Sequence, residues 1–127
     1  MTDNTTVLIE SLTNAVNARI ACYYEEAPEE ATFPYAILIG LNAHDIDAGD
    51  AISFYLEFYT GERDGQSVEL DRKIDEVRST LDGSVVRVAG VFGAYVHFNS
   101  RSGRDENAYD LCHRRLGLTA RTFFAGG

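Results

Sequence analysis

The stretch "AISFYLEFYTGE" (51–62) decides the fold. Strand side chains alternate between the two faces of a sheet, so Ile52, Phe54, Leu56 and Phe58 point one way and Ser53, Tyr55, Glu57 and Tyr59 the other. A strand with one face on a core and one in water would carry Thr, Lys or Glu outward. Here the outward side carries two tyrosines, so the first face belongs to a core and the second calls for a cover of its own.

Working back from this strand, "PYAILIGL" (34–41) reads as its antiparallel neighbour, with Pro34 at the first residue, where its missing N–H does no harm. "NAHDIDAGD" (42–50) joins the two through a turn with Ala48-Gly49-Asp50 at its tip. "EEAPEEATF" (25–33) is an acidic loop, "CYY" (22–24) a short strand, and residues 5–20 a helix. That helix has a stripe of Leu8, Leu12, Val16 and Ile20, and Thr5 or Thr6 can cap it. Working forward, "GERDGQ" (61–66) is a turn. A second helix over about 67–81 carries Leu70, Ile74, Val77 and Leu81, and Asp82-Gly83 ends it. "VVRVAGVFGAYVHF" (85–98) reads as one long strand, with Val86, Val88, Phe92, Ala94, Val96 and Phe98 inward and Arg87, Val91, Tyr95 and His97 outward. "NSRSGRDEN" (99–107) is an exposed hairpin loop, and 108–124 is the return strand. The parity of the return strand slips between Leu111 and Leu116, which a bulge around His113–Arg115 would explain. The order predicts an α+β fold in one domain, 1–127: an antiparallel sheet of about four strands with two helices packed on one face.

The chain of 127 residues, 45% hydrophobic and 24% charged, can bury one core without metals or disulfides. It has no apolar run long enough for a membrane span, and "MTDNTTVLIE" lacks the pattern of a secretory signal, which predicts a chain that stays in the cytoplasm where it is made. A net charge of −9 repels nucleic acid at long range and argues against sequence-specific nucleic-acid binding. The acids crowd Glu25 to Glu76, whereas Arg87, Arg101, Arg104, Arg114, Arg115 and Arg121 make the C-terminal third basic, a division that suits copies joining head to side. Cys22 and Cys112 are either a disulfide or two buried thiols, and a cytoplasmic compartment favours the thiols.

No stretch matches a catalytic signature. "HDIDAGD" (44–50) resembles a calcium loop, but its twelfth position counted from Asp45 is Leu56, so a solvated turn explains it better. Cys22, His97, Cys112 and His113 could make a zinc-type set, but adjacent Cys112 and His113 point to opposite faces of a strand. Cys112 or Ser53 with a histidine would place a nucleophile mid-strand, where nucleophiles are uncommon. No catalytic, metal or cofactor site is expected. What stands out is the outward face. Tyr55 and Tyr59 share it with Val91 and Tyr95, and tyrosine combines large contact area with a polar tip at low entropy cost. These four, with Arg101 and Arg104 of the predicted hairpin tip, are the candidate interface residues.

In this arrangement the sequence resembles the phage tail-completion or tail-terminator proteins, small subunits that join head to tail. The resemblance rests on an opening amphipathic helix, "FPYAIL" (33–38) after an acidic loop, "ISFYLEFYT" (52–60), "IDEVRSTLDG" (74–83) and a closing "DLCHRRLGLTAR" (110–121). It covers nearly the whole chain in order and spacing, although the tryptophan that many members carry near the middle strands is missing. It implies a non-enzymatic ring former, often hexameric, that assembles in the host cytoplasm and sits at the end of the tail tube in the virion, with tail-tube and head-joining proteins as partners and no cofactor. A small ligand-binding or enzymatic domain is the alternative, with a pocket between sheet and helices lined by Tyr23, Tyr35 or His44. A nucleic-acid mimic ranks last, because the acids form no regular row.

Overall fold

Phe54, Leu56 and Phe58 are fully buried, which places their strand inside the sheet. The computed structural model describes residues 4–41, 49–61, 66–87, 92–106 and 111–124. In chain order the elements are α1 (Asn4–Asn17), β1 (Cys22–Tyr24), β2 (Tyr35–Ile39), β3 (Ala51–Gly61), α2 (Gln66–Leu81), β4 (Val85–Arg87), β5 (Phe92–Glu106) and β6 (Leu111–Phe124). The strands form one sheet in the order β1-β2-β3-β6-β5-β4.

Alternation explains the core. Ala36 and Leu38 of β2, Ile52 to Phe58 at every second position of β3, Ala94 and Val96 of β5, and Leu116, Leu118 and Ala120 of β6 all point to one side and are buried. Leu8, Leu12 and Val16 of α1 and Leu70, Ile74, Val77 and Leu81 of α2 meet them in a single cluster, so both helices cover the same face. α1 touches β1 and β4, the two edge strands, while α2 lies over β3 and β5. A sheet whose opposite edges both reach one helix is curled around it. Each edge strand is only three residues long, which leaves little free backbone for unwanted strand pairing.

The α+β class and the two helices on one face agree with the sequence reading, but the sheet has six strands rather than about four, and it is mixed. β1 pairs parallel with β2 while every other pair is antiparallel. The strand expected over 85–98 is two strands, since β4 folds back on β5 with Val85 opposite Tyr95 and Arg87 opposite Gly93. The loop expected over 99–107 is a continuation of β5 as far as Glu106. β6 runs without a bulge against β3; the irregularity lies on β5, where Phe98 pairs with Leu118 but Ser100 pairs with Gly117, which leaves Asn99 as the extra residue. The apparent slip in β6 has another cause. Arg114 keeps the inward parity but lies past the apolar core, where Asp71 of α2 accepts from its Nε at 3.2 Å.

Among the described residues three glycines, Gly40, Gly49 and Gly83, have a positive φ that would strain a side chain, and two of them shape the ends of elements. Gly83 (φ 80°) turns the chain after α2, as its sequence position predicts. Gly40 (φ 102°) ends β2, and a Cβ there would stand 3.3 Å from Phe54 Cα, a backbone atom that cannot swing aside. Gly40→Ala is expected to cost about 1–3 kcal/mol, measured by urea denaturation. An unchanged midpoint would contradict this account of the β2 end.

Candidate functional site

The face of the sheet opposite the helices is the candidate site. Its side chains come from alternate positions of the six strands and form rows across it. Tyr35 of β2, Tyr59 of β3 and His113 of β6 make one row. The ring centroids of Tyr35 and Tyr59 are 5.5 Å apart, and Tyr59 stacks on His113 at 4.8 Å. Tyr23 meets Tyr35 edge-on at 6.0 Å, and Phe33 stacks on Tyr35 at 5.6 Å. Such pairs add to the value of the buried ring area.

Beside this aromatic row lies a charged cluster. Glu57 accepts hydrogen bonds from Tyr59 Oη at 2.6 Å and from Arg115 Nε at 3.1 Å, and a second from Arg115 through Nη2. Burial opposes the charge of Glu57, yet the hydrogen bonds from Tyr59 and Arg115, with the charges of Arg115 and His113, prevail and hold its carboxyl below the ordinary range. Burial first, and then the bond to Glu57, push the Tyr59 phenol above its usual value. Nε2 of His113 is buried, lies 3.8 Å from Glu57 Oε2 and has no hydrogen-bond partner among the described residues. Arg115 also reaches over the Tyr55 ring, with Cζ 4.8 Å from its centre. The carboxylate is thus occupied by its own neighbours and serves to hold Arg115 and Tyr59 in place.

Two further rings lie down on bare backbone. A Cβ added at Gly117 would be 3.4 Å from Tyr55 Cε1, and one at Gly93 2.6 Å from Phe123 Cζ. Tyr55, Tyr95 and Phe123 are 38%, 42% and 39% exposed, and Val85, opposite Tyr95 on β4, is 62% exposed. Among the described residues no helix covers this face.

Of the candidate residues read from sequence, Tyr55, Tyr59 and Tyr95 share this face. Tyr59 is half-buried between Tyr35 and His113 and offers less surface than its parity alone suggests. Arg101 faces the other way. The bulge at Asn99 turns it toward α2, where Nη1 donates to Asp75 at 2.7 Å and Nη2 to Asp71 at 2.8 Å. Burial works against its charge, but these two carboxylates outweigh it and keep the guanidinium firmly protonated. Val91 and the Arg104 side chain lie outside the described residues. Phe33, Glu57, His113, Arg115 and Phe123 are not among the interface candidates read from the sequence. The outward parity of Glu57 between two tyrosines was the available signal, but its partner Arg115 could be found only from the β3–β6 register.

The residues weighed for chemistry do not converge. Cys22 is buried on the helix side, its thiol pushed up to about 12 by burial, whereas His97 and His113 lie on the opposite face. The Cys112 side chain and the 42–48 stretch with His44 lie outside the described residues. Ser53 Oγ faces Thr119 Oγ1 at 3.5 Å. Among the described residues no group of three or more His, Cys, Asp or Glu is placed to hold a metal ion. Tyr23 and Tyr35 sit on the outer face, so they line no cavity between sheet and helices. The core fills most of that space, apart from a cleft of about 290 Å³ at its end lined by Phe33, Pro34, Thr60, Glu69, Leu70 and Lys73.

The fold and this face together define a two-layer α+β protein with an aromatic sheet surface that, among the described residues, its own helices leave uncovered. The sequence matches no family profile and no curated protein. Among solved structures, the fold aligns with a chain of a particle described as the virion of a native gene transfer agent. The TM-score is 0.61 at 15% identity, covering 87% of this chain and 83% of that one. The likeness is one of fold.

Proposed function

We propose that this protein is a structural subunit of a phage or phage-like virion, a tail-terminator or head–tail joining protein that forms a ring at the end of the tail tube, with tail-tube and head-joining proteins as its neighbours. One observation carries the reading: Tyr55, Tyr95 and Phe123, rings that a monomer would hide, stand exposed on the sheet face, with Arg115, bound by Glu57, lying over Tyr55. The shared fold with a virion chain supports the setting, and the order of motifs supports the junction. In this reading the subunit is not an enzyme, it is made in the host cytoplasm and ends in the virion tail, and an acidic lumen lets DNA pass by like-charge repulsion.

The test is association across concentration, followed by sedimentation. Tyr55→Asp and Tyr95→Asp place a charge on an exposed strand position, so the fold should persist while self-association weakens by about tenfold or more. If both variants assemble as the wild type does, the sheet face is not the interface.

A further inference from the structure

We propose that the cover of the sheet face is the acidic 25–34 loop of a second copy, docked head to tail on the patch of Arg121, Tyr95, Phe123 and Val85. This rests on the ring reading and names its contact. Arg121 is exposed on β6, opposite Tyr95, which in turn faces Val85 of β4. Arg121 has no ion-pair partner among the described residues, unlike Arg101, Arg114 and Arg115, each bound to a carboxylate of the same chain. The patch is therefore a single arginine without an ion-pair partner among the described residues, set among exposed rings, in a chain of net charge −9.

The complementary surface lies at the opposite edge of the sheet. The 25–34 loop carries Glu25, Glu26, Glu29 and Glu30, all exposed, and residues 25–41 contain no Lys or Arg. The loop is ordered despite this repulsion. Glu25 N–H donates to Leu38 O at 2.9 Å, Glu26 N–H to Tyr24 O at 2.8 Å, and Ala31 N–H to Pro28 O at 3.0 Å. Glu25 itself sits at φ 65°, a left-handed conformation that side chains other than glycine adopt at a cost. Phe33, 50% exposed, stands at the end of the loop and gives it an apolar anchor beside its acids. Each surface thus pairs exposed rings with one sign of charge, and the signs are opposite. Because the loop flanks β1 and the patch reaches β4, the contact joins different surfaces of two copies. Repetition of such a heterologous contact closes a ring if the rotation allows it.

Charge reversal tests this on the full chain. Glu29→Arg with Glu30→Arg in one variant, and Arg121→Glu in another, should each weaken self-association at least about tenfold, followed by light scattering up to ~1 mM, with circular dichroism unchanged. An equimolar mixture of the two variants should regain association, because reversed loops then meet reversed patches and native loops meet native patches. Wild-type association should also fall as salt is raised. Reversals that leave association intact, a mixture that does not recover, or a wild type monomeric throughout that range overturns the proposal. In the first two cases a sheet face still sensitive to Tyr55→Asp leaves the virion-subunit reading standing.

Discussion

Phe54→Ala is expected to remove about 3–5 kcal/mol of stability. Phe54 is fully buried on β3, the third strand of six, between Leu118 of β6 and the chain that turns at Gly40. Its removal leaves a cavity between elements that β2, β6 and the helices hold apart, so collapse is restricted. On a domain of this size the loss corresponds to a fall in Tm of roughly 10–20 °C. Tyr55→Ala, one residue on and facing the other way, should cost less than about 1 kcal/mol in the monomer. Thermal denaturation of the two variants side by side checks the contrast. Equal losses would mean that the outer face is part of the monomer's own core.

Arg115→Ala is expected to cost about 1–3 kcal/mol near neutral pH, because it strips two hydrogen bonds from a carboxylate whose side chain is only 14% exposed. Tyr59 is then the one hydrogen-bond donor to Glu57 among the described residues. The pH dependence follows from the direction of the Glu57 shift. Its carboxyl is held lower in the fold than in the unfolded chain, so its contribution is complete above the ordinary carboxylate value near 4.5 and is lost as pH falls through the folded value. Wild-type stability should therefore decline on acidification more steeply than that of Glu57→Gln. Urea denaturation over an acid series reads this directly, and parallel profiles would show that the cluster contributes no linked stability.

Much of the architecture is legible in local pattern. The stripes Leu8-Leu12-Val16 and Leu70-Ile74-Val77-Leu81 specify the helices, and the alternation of Ile52 to Phe58 specifies both the core side of the sheet and the odd chemistry of its far side. What local pattern does not carry is partnership. A three-residue strand such as β1 has too few positions to show alternation, and its parallel pairing with β2 depends on a loop that has no periodicity. The fold-back between β4 and β5 hides in a valine-rich run whose alternation looks continuous. The single extra residue at Asn99 moves Arg101 from the tyrosine face to the helix face, and no feature of "NSRSG" announces it. The site is legible to the same extent. Tyr55 and Tyr95 follow from parity, whereas the Glu57–Arg115 pair and the rings over Gly93 and Gly117 exist only through register.

In the proposed assembly a neighbouring copy covers the aromatic sheet face that the free protein leaves exposed. Hydroxyl-radical labelling of the free protein and of its self-assembled form, read residue by residue, tests it most directly. The account predicts strong labelling of Tyr55, Tyr95 and Phe123 in the free subunit and marked protection of all three on assembly, with Phe54 and Phe58 unlabelled in both. Equal labelling of the three exposed rings in the two states would contradict it.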